Sequence, residues 1–401
     1  MSVDYDVCVI GGGIIGLATA RALAMRFDGV AIAVVEKEPD VGEHQTGRNS
    51  GVLHSGLYYA PGSLKAGLCV AGRRAMLEYC EREGIPVEST GKLVVANGER
   101  EVAALEELHR RGSANGLRGL EWLDTSAMRS REPHVAGTRG LIVPETGVVD
   151  FSAVASSLAA GLRQDGHSLI TGAPVDSVVS APGRVAITTR RTRVTARIVV
   201  NCAGLHADVI ARLAGVESPV RIVPFRGEYY SLTGGAEDLV GGLVYPVPNP
   251  RLPFLGVHFT RRHTGSVEVG PNAVLAAGRE HYRGSRPHLR ELWSTVTYPG
   301  FLRLARRHWR TGIAEVAGSS SRAVYARRAR RLVPGVEARH LQRAGSGIRA
   351  QAVTRSGDLV DDFVIEATEQ AVHVLNAPSP GATASLAIGD RIADIAGARL
   401  A

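Results

Sequence analysis

A glycine-rich turn between two short apolar runs constrains this chain more than any other feature. Residues 7–10 are apolar and mostly β-branched, as expected for a strand buried on both faces. Residues 11–16 follow in G-x-G-x-x-G spacing and lead directly into a helical pattern. A second apolar run, 31–35, ends at Glu36, near the usual offset of about 20 residues. This order of strand, glycine turn, helix and acidic strand end predicts a dinucleotide-binding unit.

Each position of this unit has a physical role in holding a pyrophosphate. Gly11 permits the tight turn, Gly13 lets the backbone approach the phosphates, and Gly16 lets the helix pack closely on the strand. The first helical turn, with Ile14 and Ile15, offers unpaired N–H groups and the positive end of a dipole. Glu36 is expected to accept hydrogen bonds from the ribose hydroxyls, and Lys37 is also expected to bind the cofactor.

Composition indicates an ordinary globular protein. The chain has 401 residues, 44% hydrophobic and 21% charged, which suits roughly two to three domains. Its net charge of +8 is scattered and not interleaved with aromatic residues, so we expect no nucleic-acid binding. No apolar run reaches the roughly 18 residues of a membrane span, and no leader peptide is expected. The four cysteines show no C-x-x-C spacing, so we expect reduced thiols, no metal site and a cytoplasmic location.

The patterning divides the chain into two kinds of segment. Alternating strands and helices predict a discontinuous dinucleotide-binding domain from 1–85, 145–215 and 346–401. Pro- and Gly-punctuated alternating runs predict a second, substrate-binding domain of α+β type with a mixed, mostly antiparallel sheet, formed by 86–144 and 216–345. Within the first domain, the patterns predict helices over 151–164 and 207–213. The overall fold class is therefore α/β.

One helical pattern, 301–310, is both basic and amphipathic. We expect its apolar stripe to lie on the sheet of the second domain, because most such stripes face a core. Peripheral contact with a membrane surface is the less favoured alternative.

Several motifs outside the glycine turn are similar to those of one known family. They are 49–59 (NSGVLHSGLYY), 61–66 (PGSLKA), 224–230 (PFRGEYY), 255–260 (LGVHFT), 270–275 (GPNAVL), 347–351 (GIRAQ) and 375–383 (LNAPSPGAT). They resemble the D-amino-acid-oxidase-like superfamily of FAD-dependent oxidoreductases and, within it, the L-2-hydroxyglutarate oxidase/dehydrogenase family. The likeness extends over nearly the whole chain.

The resemblance implies FAD as the cofactor and a Rossmann-like FAD-binding domain of the glutathione-reductase type. Such a domain needs anchors beyond its first βαβ unit. The further residues expected to contact FAD are Thr46, Asn49, Ser50, Val175, Ala203, Gly204, Pro380, Gly381, Ala382 and Thr383.

Oxidation of a 2-hydroxy acid requires a base that takes the hydroxyl proton as hydride leaves the α-carbon. Histidine suits this role near pH 7. His54, in the Gly/Ser-rich loop expected to pass the flavin, is the first candidate, and His258 is the second. We expect the ionisation of the base to lie near the usual imidazole value of about 6.5.

The substrate carboxylates require cations, and the guanidinium group offers a bidentate fork. Arg349 is the leading candidate for this role, and we group it with the two histidines as catalytic. The remaining candidates for substrate binding or orientation are Arg226, Arg283, Lys65, Tyr58, Tyr59, Tyr230, Gln351 and Asn376.

The resemblance therefore implies oxidation of L-2-hydroxyglutarate or a close L-2-hydroxy acid to the 2-oxo acid, by hydride transfer to flavin N5. Oxygen or a quinone would reoxidise the flavin. An amine or amino-acid oxidase of the same superfamily, including one in a biosynthetic pathway, is the alternative. A non-catalytic basic protein that retains FAD is a third interpretation.

Overall fold

The computed structural model describes residues 3–248, 256–282 and 286–400. Arg283, one of the predicted carboxylate ligands, lies outside the described residues.

The strands, numbered in chain order, fall into three sheets. They are β1 (Tyr5–Ile10), β2 (Ile32–Val35), β3 (Val52–Leu53), β4 (Val87–Glu88), β5 (Lys92–Ala96), β6 (Glu121–Leu123), β7 (Arg139–Val143), β8 (Gly147–Val149), β9 (Ser168–Ile170), β10 (Val175–Ala181), β11 (Arg184–Thr189), β12 (Arg193–Asn201), β13 (Val220–Leu232), β14 (Leu243–Pro246), β15 (His258–Arg261), β16 (Val267–Gly270), β17 (Val274–Leu275), β18 (Leu341–Thr354), β19 (Val364–Ala367) and β20 (Ala371–Asn376).

The α-helices cover the faces of the sheets. They are α1 (Ile14–Arg26), α2 (Leu64–Arg82), α3 (Glu99–Ala114), α4 (Thr125–Arg131), α5 (Phe151–Gln164), α6 (Ala207–Leu213), α7 (Leu289–Val296), α8 (Pro299–Ser320), α9 (Arg322–Ala329) and α10 (Ser385–Gly397). Helices α5 and α6 have the bounds that the sequence patterns predict. Within the described residues, no helix combines the length and the apolar character that crossing a bilayer requires.

The first sheet has eight strands among the described residues and contains the N-terminal unit. Strands β1, β2, β9, β12 and β20 pair in parallel, while β10, β11 and β12 form an antiparallel meander. Helix α1 packs against α10 so closely that a Cβ on Gly389 would lie 2.6 Å from the carbonyl carbon of Ala18. Because β1, β2 and β12 are parallel neighbours, their carboxyl ends lie at the same edge of the sheet, where this class of sheet binds its ligand.

The second sheet has nine strands within the described residues, in the order β17-β13-β16-β15-β14-β5-β7-β6, with β18 also paired to β13. Among the pairings that the described residues make in this sheet, only that of β14 with β5 is parallel. The predicted mixed, mostly antiparallel sheet is confirmed. One face of this sheet buries an apolar cluster against α9, which includes Tyr230, Phe259 and Tyr325.

Two features correct the predicted division of the chain. The whole of β18, through Thr354, pairs with β13, so residues 346–354 belong to the nine-stranded sheet and not to the dinucleotide-binding domain. Strand β8 also pairs with β3 and β4, which joins segments assigned to different domains. The first difference arises because a single strand of 14 residues crosses the predicted domain boundary at residue 346.

The prediction for the basic helix is only partly right. Leu304 is buried and Phe301 packs beside it against β13 and β18. Leu302 and Trp309, however, are 54% and 55% exposed. The helix therefore presents apolar side chains to solvent as well as to the sheet.

Candidate active site

The glycine turn forms a cradle at the carboxyl ends of β1 and β2. A Cβ on Gly11, whose φ is +112°, would lie 2.5 Å from the Cys202 carbonyl oxygen, and one on Gly16 would lie 2.0 Å from the Gly11 carbonyl oxygen. Packing within the protein thus requires both of these glycines. A Cβ on Gly13 would meet only Thr46 Oγ1, at 3.4 Å. No protein contact requires glycine at position 13, so its absent side chain fits a phosphate that approaches the backbone.

The other parts of the cradle are arranged around this turn. Glu36 is 9% exposed, and its carboxylate accepts hydrogen bonds from the N–H groups of Gly12 (2.6 Å) and Glu38 (2.9 Å). Thr46 Oγ1 accepts from Ile14 N–H at 3.0 Å, while Gly13, the N-cap of α1, has no side chain to cap the helix. The positive end of α1 therefore lies beside the fixed Glu36 carboxylate. The helix end suits a pyrophosphate, and the carboxylate suits the hydroxyl groups of a ribose.

The later anchors predicted for FAD lie near the cradle or shape its loops. Asn49 closes its own loop through Gln45 and Gly51, and Val175 packs in the same apolar cluster as Val35. The segment 202–204 follows β12 past Gly11. Direct contacts of Ile14, Ile15, Ser50, Ala203, Gly204 and residues 380–383 with FAD stay predictions.

Lys37 forms ion pairs beside the cradle, and its predicted contact with FAD stays a prediction. Its ammonium forms ion pairs with Glu38 and with Glu280, at 2.7 Å from the latter, and lies 2.6 Å from His44 Nε2. His44 in turn bonds Tyr282 at 2.8 Å. Lys37 thus ties the 278–282 segment to the cofactor domain. Its ammonium lies against the group formed by Glu38, His44 and Glu280, whose possible metal-ligand atoms lie within 4.8 Å of one another.

The loop that carries His54 is fixed from three sides. His54 N–H donates to Thr383 Oγ1 at 3.0 Å, and the His54 carbonyl accepts from Cys69 Sγ at 3.5 Å. Asn115, at the end of α3, donates to the carbonyls of Gly56 and Tyr59, both at 3.0 Å. Three separate elements therefore set the position of this imidazole.

The nine-stranded sheet supplies the groups that face His54. His258 donates from Nδ1 to the Gly256 carbonyl at 2.9 Å and stacks on Tyr245 with ring centroids 4.0 Å apart. Lys92, only 2% exposed, places its Nζ 4.2 Å from the ring centre of Tyr58 and 5.2 Å from that of Tyr245. These aromatic faces provide part of the stabilisation that water would otherwise give the ammonium.

Arg349 completes what we call the catalytic cluster. Burial lowers the pKa of Arg349, while the phenols of Tyr229 and Tyr245 act in the opposite direction. The hydroxyl of Tyr58 is buried and has no hydrogen-bond partner among the described residues. The catalytic cluster consists of His54, Tyr58, Lys92, Tyr229, Tyr245, His258 and Arg349.

The cluster contains four basic groups, and burial opposes the charged form of each. Burial lowers the pKa of Lys92 to about 7. Burial and the surrounding basic groups, with Lys92 first among them, lower the pKa of His54 to about 3, and burial lowers that of His258 to about 3. Among the described residues, no carboxylate acts on the pKa of Lys92. An anionic ligand would relieve this charge and raise all three pKa values.

Two predicted substrate ligands, Tyr230 and Arg226, are engaged inside the protein, and their contact with substrate stays a prediction. Tyr230 is fully buried in the apolar cluster under α9, with its ring 4.5 Å from that of Tyr325. Tyr229, its neighbour on β13, lies at the register shift between Glu228 and Tyr230 and is the tyrosine whose phenol interacts electrostatically with Arg349. Arg226 forms an ion pair with the buried carboxylate of Glu228 at 3.0 Å, so its charge is neutralised within the protein.

Four other predicted substrate residues converge on the 360–362 segment. Lys65 Nζ donates to the Asp361 carboxylate at 2.8 Å and lies over the ring of Tyr59. The side-chain amides of Gln351 and Asn376 both donate to the Val360 carbonyl. These groups hold a segment at the edge of the catalytic cluster, and any direct contact with substrate stays a prediction.

Sequence reasoning missed Lys92, Tyr245 and Tyr229. The signal for Lys92 was present: a lysine at the start of the apolar run 92–96 is unusual in a strand that is buried throughout. Tyr245 gave no such signal, since aromatic residues are common in strands.

Comparison with known proteins identifies the family. Residues 6–395 match the family model described as FAD dependent oxidoreductase. The chain is 44% identical to L-2-hydroxyglutarate dehydrogenase of Indibacter alkaliphilus, over 98% of both chains. It is 40% identical to the mitochondrial L-2-hydroxyglutarate dehydrogenase of Homo sapiens, over 98% of this chain and 88% of that one.

A solved structure supports the fold. Dithionite-reduced L-α-glycerophosphate oxidase of Mycoplasma pneumoniae, with FAD bound, superimposes with a TM-score of 0.80 over 98% of this chain and 94% of that one, at 22% identity. The cradle and the family together establish FAD as the cofactor and an oxidoreductase acting on CH–OH. The chain belongs to the FAD-dependent oxidoreductase family and, within it, to the group that includes the L-2-hydroxyglutarate dehydrogenases.

Proposed function

We propose that the protein oxidises L-2-hydroxyglutarate, or a closely related L-2-hydroxy acid with a second carboxylate, to the 2-oxo acid. Relatives at 40% and 44% identity carry that activity in their names. The observation that carries the substrate class is Lys92, a buried cation without a carboxylate partner among the described residues, in one cluster with Arg349. Two separate cations suit a ligand with two carboxylates.

The two cations have different chemistry and so different roles. The Arg349 guanidinium can hold the carboxylate beside the reacting carbon through two parallel hydrogen bonds, which orients it. The Lys92 ammonium is a point charge that suits the distal carboxylate. Tyr58, whose buried hydroxyl lacks a partner among the described residues, can donate a further hydrogen bond.

We assign His54 as the acceptor of the substrate hydroxyl proton, with His258 as the alternative. The charges of four basic residues act on the pKa of His54, namely Lys92, His258, Lys65 and Arg349. Only two of them, Arg349 and Lys92, act on the pKa of His258. His54 is thus the more central group, and a bound dianion raises its pKa more. This rise makes the imidazole a stronger base when substrate is present.

FAD, when bound, accepts the hydride that leaves the substrate α-carbon. The cradle residues Gly13, Glu36 and Thr46 would hold its dinucleotide part. His54 and Arg349 orient the hydroxyl and carboxylate of the substrate from loop and sheet, and the L enantiomer is expected to fit.

The electron acceptor and the location are also part of the proposal. We propose that oxygen or a quinone reoxidises the flavin, and that the protein works in the cytoplasm. The four cysteines are free and buried, which is consistent with a reducing compartment. Turnover with dissolved oxygen compared with a soluble quinone, under otherwise identical conditions, identifies the acceptor.

Anaerobic reduction of the bound flavin tests the substrate. We expect L-2-hydroxyglutarate to bleach the flavin fastest, L-lactate far more slowly, and D-2-hydroxyglutarate or L-glutamate hardly at all. Faster bleaching by L-glutamate would replace the proposal with an amino-acid oxidase. Equal rates with L-lactate would refute the role of the second carboxylate.

A further inference from the structure

A short segment of the second domain lies against the edge of the first sheet that carries the cofactor cradle. It runs between β17 and α7, and we call its residues 279–282 the strap. The side chains of Arg279, Glu280 and Tyr282 all contact residues of the dinucleotide-binding domain. The proposed reaction uses none of these three side chains, so their contacts require a separate explanation.

A buried ion pair fixes the base of the strap. The Arg279 guanidinium donates two hydrogen bonds to the Asp208 carboxylate on α6, from Nη1 to Oδ1 at 2.6 Å and from Nη2 to Oδ2 at 2.9 Å. Arg279 Nη1 also donates to the Leu205 carbonyl, and the Arg279 N–H donates to the Glu291 carboxylate on α7 at 2.7 Å. Two parallel hydrogen bonds fix orientation as well as distance. The strap therefore begins at a rigid point beside the first sheet.

The middle of the strap connects two strand ends of that sheet. Glu280 Oε1 lies 2.7 Å from Lys37 Nζ and 2.7 Å from His206 Nε2. Lys37 lies just beyond β2, and His206 lies just beyond β12. Strand β1, which ends at the glycine turn, lies between β2 and β12 in the sheet. The Glu280 carboxylate thus bridges the two sides of the crevice in which this class of sheet binds a dinucleotide.

Charge holds this bridge together without any added ion. Burial raises the pKa of Glu280, but the hydrogen bonds from His206 and Lys37 outweigh burial and hold that pKa below its usual value. The Lys37 ammonium also pairs with Glu38 and lies 2.6 Å from His44 Nε2. It therefore supplies positive charge where a metal ion would otherwise be needed among these groups. Since these contacts are all made between protein groups, the strap closes whether or not cofactor is bound.

The tip of the strap rests on the loop that caps α1. Tyr282 and His44 form a hydrogen bond between Oη and Nδ1 at 2.8 Å, and their rings stack. The Arg48 guanidinium lies 4.3 Å from the ring centre of Tyr282. Between His44 and Arg48 lies Thr46, whose Oγ1 accepts from the Ile14 N–H at the start of α1. The tip is therefore attached to a loop that contacts the cradle directly.

We propose that the strap is a gate for FAD, which enters and leaves the cradle only when Glu280 separates from Lys37 and His206. The gate lies at the ribose end of the cradle, because Glu36 accepts a hydrogen bond from the N–H of Glu38, a partner of Lys37. The Glu280 side chain is 33% exposed, so water can replace its partners when the strap opens. The inference does not depend on which substrate the protein oxidises.

Exchange of FAD on the intact holoenzyme tests this proposal. Chase of bound radiolabelled FAD with unlabelled FAD gives the release rate, and flavin fluorescence on dilution gives Kd. Glu280→Gln should release FAD about tenfold faster, because the hydrogen bonds to charged partners that hold the strap closed are weakened. Kd should change by less than about twofold, because opening limits entry and release equally.

A second variant tests the same bridge from its other side. His206→Phe keeps a ring at this position but removes the donor to Glu280, and it should also accelerate release. The double variant should release FAD no more than about twofold faster than the faster single variant, because both substitutions break one bridge. Additive effects of the two substitutions would overturn the assignment of a single gate.

A matched control separates a gate from an ordinary stabilising contact. Glu315→Gln weakens an ion pair of another half-buried carboxylate, with Arg328 at 2.8 Å, but within the second domain, and it should release FAD as wild type does. The absorption spectrum of the bound flavin should be the same in every variant, which shows that the cradle is folded. Faster release with an equally higher Kd in Glu280→Gln would make Glu280 a contact that only strengthens cofactor binding. That result, or a wild-type release rate in Glu280→Gln, would overturn the proposal.

Discussion

The cofactor cradle and the catalytic cluster both suit anionic ligands, but they are formed by different kinds of chemical group. The cradle uses backbone N–H groups, a helix dipole and missing side chains, all within about one strand–helix–strand unit. The catalytic cluster uses side-chain charges that six separate segments bring together, with burial shifting the pKa of Lys92 and of both histidines. Backbone groups of a short segment bind the pyrophosphate that all dinucleotides share. Buried side-chain charges, in contrast, can distinguish one substrate from another.

The largest effect is expected in the cradle, where Gly13→Val should yield folded protein with less than about a tenth of the normal flavin, because a side chain there obstructs the pyrophosphate. Absorbance of the bound flavin and a thermal melt of the protein measure the two outcomes. Gly161→Val is the matched control, since a Cβ at Gly161 meets nothing within 4 Å. Normal flavin content in Gly13→Val would refute the assignment of the cradle.

In the catalytic cluster, His54→Ala should keep FAD but slow flavin reduction by about 10²–10⁴-fold, the usual contribution of a general base. Stopped-flow bleaching measures it, with His258→Ala as the comparison. The wild-type kcat/KM profile should show no His54 ionisation near 6.5, contrary to the expectation from sequence, because the free-enzyme pKa is about 3. A near-normal rate in His54→Ala would transfer the role to His258.

Lys92→Met should separate dicarboxylates from monocarboxylates. We expect KM for L-2-hydroxyglutarate to rise about 10–100-fold, the value of a hydrogen bond to a charged group, with little change for L-lactate. The free-enzyme pKa is about 7, so kcat/KM of the wild type should fall as pH rises through 7 and the ammonium loses its proton. The variant should lack this decrease. An unchanged pH profile in Lys92→Met would exclude this lysine as the carboxylate ligand.

The adjacent tyrosines of β13 test which face of the sheet forms the site. Tyr229→Phe should weaken substrate binding by about fivefold, the loss of one neutral hydrogen bond. Tyr230→Phe should leave the kinetics unchanged, since its buried hydroxyl has no partner among the described residues. Steady-state kinetics on both variants measures this contrast, and the reverse result would make Tyr230 the substrate ligand, as the sequence predicts.

The smallest effect is expected at the edge of the cluster. Asp361→Asn removes the partner of Lys65, but the carboxylate side chain is 95% exposed. Exposed ion pairs contribute at most about 1 kcal/mol, so we expect a change in KM of less than about fivefold. Kinetics with L-2-hydroxyglutarate provide the check, and a loss as large as that of Lys92→Met would show that Lys65 belongs to the catalytic cluster.

The sequence by itself determined the features that depend on neighbours along the chain. The glycine spacing, the acidic residue at Glu36, and helices α5 and α6 were readable because strand, turn and helix signals are local. The motifs at His54, His258 and Arg349 were also readable, since family motifs are contiguous.

Only the tertiary structure decided which charged side chains lie close together and which of them are neutralised by an ion pair within the protein. Arg226 and Tyr230 lie in motifs as clear as that of Arg349, yet Glu228 neutralises the first and the core of the sheet buries the second. The cationic character of Lys92 and the exposure of Leu302 and Trp309 on α8 likewise depend on what packs nearby. Pairing and burial are long-range properties of the folded chain, and a one-residue change of strand register reverses which side chain faces the site.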